Sequence, residues 1–241
     1  MSTSGADSSP ARSPRHTPWA LIRPRLERAG IALVVGFLAG LLALYIFAAV
    51  AEDVLSQETL HLDDAVLAWM QSLATPPLDV FMPIVSACGT IGIVVVGAVA
   101  LVVLAIQRRW LAAVSLIIVT GGAQLLNNVL KELFARTRPA PIGATLIPAQ
   151  QWSFPSGHAM VSAAFYFYIG YLCWKGLRGW ARYTACALLL LLVLLIGFSR
   201  LYLGVHFLSD VIAGYAAGFL WADAVIVAGV LFQRSTVTLT E

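Results

Sequence analysis

Charge is scarce in this sequence. Only 11% of the 241 residues are Asp, Glu, Lys or Arg, where a soluble domain carries about 25%. A chain with so little charge does not face water over most of its surface. Lysine is nearly absent, two residues against thirteen arginines. No Arg/Lys run is dense enough to make a nucleic-acid surface, so no nucleic-acid partner is expected. Cysteine is limited to Cys88, Cys173 and Cys186. All three fall in apolar stretches without metal-ligand spacing or an obvious pairing, and read as small buried hydrophobes. Compact carboxylate clusters are missing too, so neither a metal nor another cofactor is expected.

What is present is apolar. Hydrophobic residues make up 60% of the chain and the mean hydropathy is +0.85. A bilayer core of about 30 Å needs roughly 20 apolar residues in a helix. Five segments meet that readily, about 30–51, 90–107, 110–130, 157–174 and 181–201, and a sixth over 207–231 carries Asp210 and Asp223. The expected fold is therefore all-α, a six-transmembrane-helix bundle, with a membrane domain over 29–232. Residues 1–28, rich in Ser, Pro and Arg, read as a disordered basic cytoplasmic tail ending in an interfacial helix near Trp19–Arg28. Residues 233–241 read as a short cytoplasmic tail. The first apolar run is too long for a signal h-region and lacks a small-residue cleavage site, so no cleaved leader is expected.

Between the first two spans, residues 52–79 contain six acidic residues and no Lys or Arg. Leu62, Ala65, Val66, Trp69, Met70 and Leu73 follow a helical period, which predicts an amphipathic outer-surface helix ending at Pro76–Pro77. Gly89 and Gly92 are expected to kink the span that follows. Placing the N-terminus inside puts eleven cations on the cytoplasmic side and leaves four, Lys131, Arg136, Arg138 and Arg200, outside. That asymmetry satisfies the positive-inside rule.

The four outer cations fall with two histidines in three patches at one membrane face. The first runs from Lys131 to Arg138–Pro139, the second is Pro155–Ser156–Gly157–His158, and the third runs from Ser199–Arg200 through His206 to Asp210. Two arginines and a lysine facing one point suit a phosphate dianion, because guanidinium forks match phosphate oxygens. Pro155–Ser156–Gly157 opening a helix offers free N–H donors and a positive dipole end. His206 and Asp210, four apart, share a helix face. A carboxylate there holds one imidazole nitrogen protonated and leaves the other nucleophilic. His158 is available to protonate a leaving oxygen.

These patches, K-x6-R-P, P-S-G-H and S-R-x5-H-x3-D, resemble the tripartite signature of the type 2 phosphatidic acid phosphatase superfamily at every position and spacing. The resemblance covers 131–210 by motif and most of the chain by helix order. It implies that His206 attacks phosphorus to form a phosphohistidine, that Asp210 orients His206, and that His158 serves as acid and then base. It further implies that Lys131, Arg138, Arg200, the Ser156 hydroxyl and the Gly157 amide hold the phosphate oxygens without a metal. The expected activity is hydrolysis of lipid phosphates or pyrophosphates at the extracytoplasmic face of a bacterial inner membrane, with both termini cytoplasmic. Undecaprenyl or another polyprenyl pyrophosphate, phosphatidylglycerol phosphate and phosphatidic acid all fit. The short outer loop 139–154 leans toward the first.

Three other readings stand beside this one. A lipid-to-lipid phosphotransferase shares the first half-reaction. A vanadate haloperoxidase is disfavoured by the membrane spans, and a non-catalytic bundle by the intact His158, His206 and Asp210. For Arg136, outside the signature, interfacial anchoring and substrate binding are equal expectations. Trp152, Phe154 and Tyr202 read as interfacial belt residues, and His61 as structural. Asp223 lies about 26 Å of helix rise below His206, too far for the chemistry, near the cytoplasmic boundary or beside a pairing neighbour.

Overall fold

The computed structural model describes residues 18–139 and 152–238. These residues form eight α-helices. They are α1 (Pro18–Leu55), α2 (Leu60–Ser72), α3 (Pro76–Cys88), α4 (Ile91–Ile106), α5 (Trp110–Phe134), α6 (Gly157–Gly176), α7 (Trp180–Tyr202) and α8 (Leu208–Thr238). Residues 1–17 of the expected tail, 140–151 of the expected outer loop and 239–241 lie outside the described residues, while 18–28 are the first turns of α1. The chain divides into two compact units at Val35 and Gly36, and the candidate site belongs wholly to the second.

Five stretches among the described residues are long and apolar enough to cross a bilayer: Leu33–Leu55, Pro76–Ile106, Trp110–Phe134, Trp180–Tyr202 and Leu208–Gln233. Their outer faces expose large apolar side chains such as Val94, Ile106 and Leu133, a surface that a hydrocarbon solvent satisfies and water does not. The expected span at α6 differs in kind. Its 20 residues make about 30 Å of helix. However, it carries Ser162, Tyr166 and Tyr168 and packs between α5, α7 and α8. Because most of its surface meets protein rather than lipid, it does not need its neighbours' hydropathy.

The closest approach of a glycine to another helix's backbone, among the described residues, is α8 on α6. A Cβ on Gly218 would lie 2.2 Å from the Met160 carbonyl oxygen, and one on Gly214 would lie 2.8 Å from that of Ser156. Small residues one turn apart let two backbones touch. That contact fixes the start of α6 against the start of α8, where the second and third sequence patches lie. Around it, Leu116, Val119, Phe165, Ile196 and Ala222 form the main core.

Several expectations change. The segment 52–79 is not one surface helix: α2 occupies 60–72, and Pro76–Pro77 opens α3 rather than only ending a helix. α3 and α4 make one span broken at Gly89–Thr90, a full interruption in place of a kink. α2 turns Val66, Met70 and Leu73 onto α7 and α8, while Leu62, Ala65 and Trp69 stay exposed. Asp63, from the acidic segment, is buried on the inward face. Phe154 is no belt residue: it is fully buried against Phe47 and Phe134. Tyr202 donates to Asp79 at 2.6 Å and so ties α7 to α3. The Asp223 carboxylate lies against Gly36 and Gly40 of α1, 3.3 and 3.1 Å from where their Cβ atoms would sit.

Candidate active site

Alternating helix direction brings the end of α5, the start of α6, the end of α7 and the start of α8 to one end of the bundle. A cavity of about 840 Å³ opens there, lined by Lys131, Arg138, Gly157, His158, Arg200 and His206. Six of the eight residues expected at the site thus share one space, although they come from three separate stretches of chain. Asp210 and Ser156 do not line it; both are fully buried behind it.

His206 occupies the turn between α7 and α8, almost completely buried. Its Nδ1 lies 3.3 Å from Asp210 Oδ2, the arrangement expected four residues apart at a helix start. That carboxylate assigns the ring proton to Nδ1 and leaves the Nε2 lone pair toward the cavity. Burial pushes the imidazole down to about 4, and the Asp210 carboxylate, which pulls the other way, only partly offsets it. The His206 imidazole is therefore neutral at neutral pH. Arg138 Nη1 lies 3.5 Å from Nε2 and donates to the Val205 carbonyl at 3.0 Å. Burial lowers the Arg138 pKa, but a guanidinium stays charged in proteins.

The other cations are each held by a neighbour. Arg200 donates from Nη1 to Ser86 Oγ on α3 at 2.6 Å, and its buried Nε has no hydrogen-bond partner among the described residues. Lys131 donates to the Trp152 carbonyl. α5 ends where Ala135 takes a left-handed conformation, φ 43°, so the cationic stretch 136–138 turns back across the bundle end.

The start of α6 is fixed by Asn127 from α5. Its Nδ2 donates to the Pro155 carbonyl at 3.2 Å, and a Cβ on Gly157 would lie 2.9 Å from its Oδ1, so the glycine is required for the fit. The Ser156 N–H donates to the Asp210 carbonyl at 3.0 Å, joining α6 to α8. Ser156 Oγ accepts from the Ala159 N–H at 3.5 Å, an N-cap. The Ser156 hydroxyl thus caps its own helix as an acceptor, from a buried position. His158 lines the cavity over the α3–α4 break, its Cδ2 close to Gly89.

Sequence reasoning missed the support of the site. Arg136 spans Asp210 at 2.7 Å and Asp63 at 2.8 Å, so neither expectation for it was right. Asn127 and Ser86 were unnoticed; a buried amide inside an apolar span was the available signal. The cavity also continues along α5, past Asn128, Gln124 and Thr120, beside Thr90 and Ile91 at the head of α4. Gln124 donates to Asn128 at 2.9 Å. The cavity thus extends from the cations along α5 and beside the head of α4.

A profile of the PAP2 superfamily matches residues 110–232, 123 of the 241 residues and every candidate site residue. The chain belongs to the PAP2 superfamily. Phosphatidylglycerophosphatase B of Bacillus subtilis is 39% identical over 107 residues, 44% of this chain and 52% of that protein. Dolichyldiphosphatase of Saccharomyces cerevisiae is 30% identical over 103 residues, 40% of this chain and 43% of that protein. This PAP2 chain thus matches about half or less of the length of these curated relatives. The crystal structure of the first transmembrane PAP2 type phosphatidylglycerolphosphate phosphatase from Bacillus subtilis is similar with a TM-score of 0.69. The identity is 29%, over 78% of this chain and 94% of that one. The chain is a multi-pass membrane protein of the PAP2 transmembrane fold.

Proposed function

We propose that this PAP2 chain hydrolyses lipid phosphates at the outer face of a bacterial inner membrane through a phosphohistidine on His206. One observation carries the reading: Lys131, Arg138 and Arg200 converge with a neutral, carboxylate-backed imidazole in a cavity that extends along α5 beside the head of α4. The three cations and the Gly157 amide hold the non-bridging oxygens. His206 Nε2 attacks phosphorus in line, the P–O bond to the lipid breaks, and His158 gives its proton to the departing oxygen. Asp210 stabilises the imidazolium character that develops on His206. Water then attacks the phosphohistidine with His158 as base, releasing phosphate and restoring both histidines. Catalysis rests on positioning and fixed charge, so the reading is metal-independent.

Six spans serve this topology, with α6 as the central one and both chain ends cytoplasmic. The substrate reading moves from a polyprenyl pyrophosphate toward a glycerolipid monophosphate. Asn128 and Gln124 lie three and seven residues below Lys131, about 4.5 and 10 Å of helix rise. Amides in hydrocarbon are costly without partners. Ester carbonyls of a diacylglycerol phosphate fall at about that depth, whereas a prenyl chain is hydrocarbon from its first carbon. Residues 139–174 contain no Lys or Arg, and Glu132 lines the cavity, so a second phosphate meets a carboxylate rather than a fourth cation.

The test is phosphate release in detergent with EDTA from diacylglycerol phosphates and polyprenyl diphosphates, presented separately. Metal-independent release, faster from the glycerolipids, is expected. Turnover only with an added lipid acceptor would favour the transferase, and a metal requirement would overturn the mechanism.

A further inference from the structure

The densest buried charge in the described chain is behind the cavity. Arg136 Nη1 lies 2.7 Å from Asp210 Oδ1 and 2.7 Å from Ser209 Oγ, and its Nη2 lies 2.8 Å from Asp63 Oδ2. Asp63 Oδ1 accepts from the Ser209 N–H at 2.9 Å, and Oδ2 from the Ser209 hydroxyl at 2.6 Å. The guanidinium also stacks 4.3 Å from the Phe207 ring centroid. Asp63, Ser209 and Asp210 are all at most 4% exposed. Residues from α2, from the segment after α5 and from α8 thus make one closed unit around the residue that backs His206.

We propose that Arg136 and Asp63 are positioning residues, a charge clamp on Asp210 through which the docking of α2 sets the orientation and basicity of His206. The proposal rests on the reading of His206 as nucleophile. Asp210 divides its oxygens: Oδ2 serves His206 Nδ1 and the Phe207 N–H at 3.0 Å, and Oδ1 serves Arg136. A guanidinium alone on Oδ1 would draw the carboxylate's field away from the imidazole. Asp63 compensates by engaging the other guanidinium nitrogen, so the unit of two carboxylates and one cation keeps a net negative charge behind His206. Both carboxylates are buried and the Arg136 side chain is only 11% exposed, so solvent screens these interactions less than at a surface. The same bonds seat α2, otherwise held by Val66, Met70 and Leu73, so a seated α2 and a correctly charged Asp210 occur together.

His206 is faced by Asp210 from α8, Arg138 from the segment after α5, Arg200 from α7 and His158 from α6, with Lys131 beside Asp210. Asp63 and Arg136 touch none of the cavity, so their removal changes the field on His206 without removing a phosphate contact. The two variants therefore have opposite signs. Asp63→Asn makes the surroundings more positive and lowers the His206 pKa; Arg136→Gln makes them more negative and raises it.

The experiment measures kcat, KM and the acid limb of kcat/KM for wild type, Asp63→Asn and Arg136→Gln, purified whole in one detergent, with one diacylglycerol phosphate. Both variants should lose about tenfold or more in kcat with KM nearly unchanged. The acid limb should move down in Asp63→Asn and up in Arg136→Gln, each by about one pH unit. A structural role alone lowers activity without moving the limb in opposite directions. Variants that do not purify folded are replaced by the same charge changes in a smaller side chain, Asp63→Ser and Arg136→Ser. Wild-type kcat and limb in both variants, or shifts of the same sign, would overturn the clamp. His206→Ala in parallel separates the failures: an active His206→Ala removes the nucleophile reading itself, whereas an inactive one with unshifted clamp variants removes only the clamp.

Discussion

Replacing Gly218 by alanine tests how the bundle holds the site. The added Cβ would stand 2.2 Å from the Met160 carbonyl oxygen and 3.0 Å from its carbon, both backbone atoms that cannot rotate away. Ordinary contact begins at 3.4 Å, so α6 and α8 must part by about 1.2 Å (3.4 − 2.2) at this crossing. Overpacking of this kind costs about 1–3 kcal/mol, against roughly 0.5–1 kcal/mol gained from alanine's helix preference. The functional effect is larger, because His158 rides on α6 and Asp210 on α8. A misplacement of about 1 Å in a catalytic array can cost on the order of a hundredfold. Gly170→Ala on α6 is the control, since its Cβ would meet only Leu189 Cδ1 at 3.8 Å. Thermal unfolding in detergent and phosphate release are measured on both. Gly218→Ala should melt lower and lose about tenfold or more in activity, while Gly170→Ala stays at wild type or gains stability. Equal behaviour of the two variants would refute the backbone contact between α6 and α8 as the element that fixes the site.

Replacing both Gln124 and Asn128 by leucine should lower kcat/KM for diacylglycerol phosphates by about tenfold, the worth of one or two hydrogen bonds, and leave polyprenyl diphosphates unaffected or improved. Equal losses on both lipids would remove the amides from substrate selection. The burial that holds His206 near 4 also fixes a pH dependence. The neutral imidazole is the nucleophile and is present above its pKa. Phosphoenzyme formation, corrected for the substrate's own phosphate titration, should fall only toward pH 4; a limb near the unperturbed histidine value of about 6.5 would contradict a buried His206.

The three cationic patches were legible because their chemistry is written at fixed short spacings, and a turn or a helix face converts spacing directly into proximity. His206 and Asp210, four apart, are the clearest case. The strongly apolar spans were legible for a related reason: lipid contact demands side chains that composition reveals. α6 is less apolar because it meets protein, and the alignment of its neighbours, not its own sequence, makes it central. Asp63 and Ser86 were illegible because each acts through a partner at least 73 residues away along the chain, and no local pattern marks such a pair. Arg136 misled because a cation at a membrane interface has an ordinary anchoring role, and its two carboxylates come from opposite ends of the sequence.

The most direct test of the central claim is trapping of labelled phosphate on the protein with an alkaline detergent quench, with wild type and His206→Ala side by side in EDTA. The account predicts an acid-labile, base-stable phosphoenzyme in wild type that maps to His206, with neither phosphoenzyme nor phosphate release in the variant. Phosphate release persisting in folded His206→Ala, or label mapping to another residue, would contradict it.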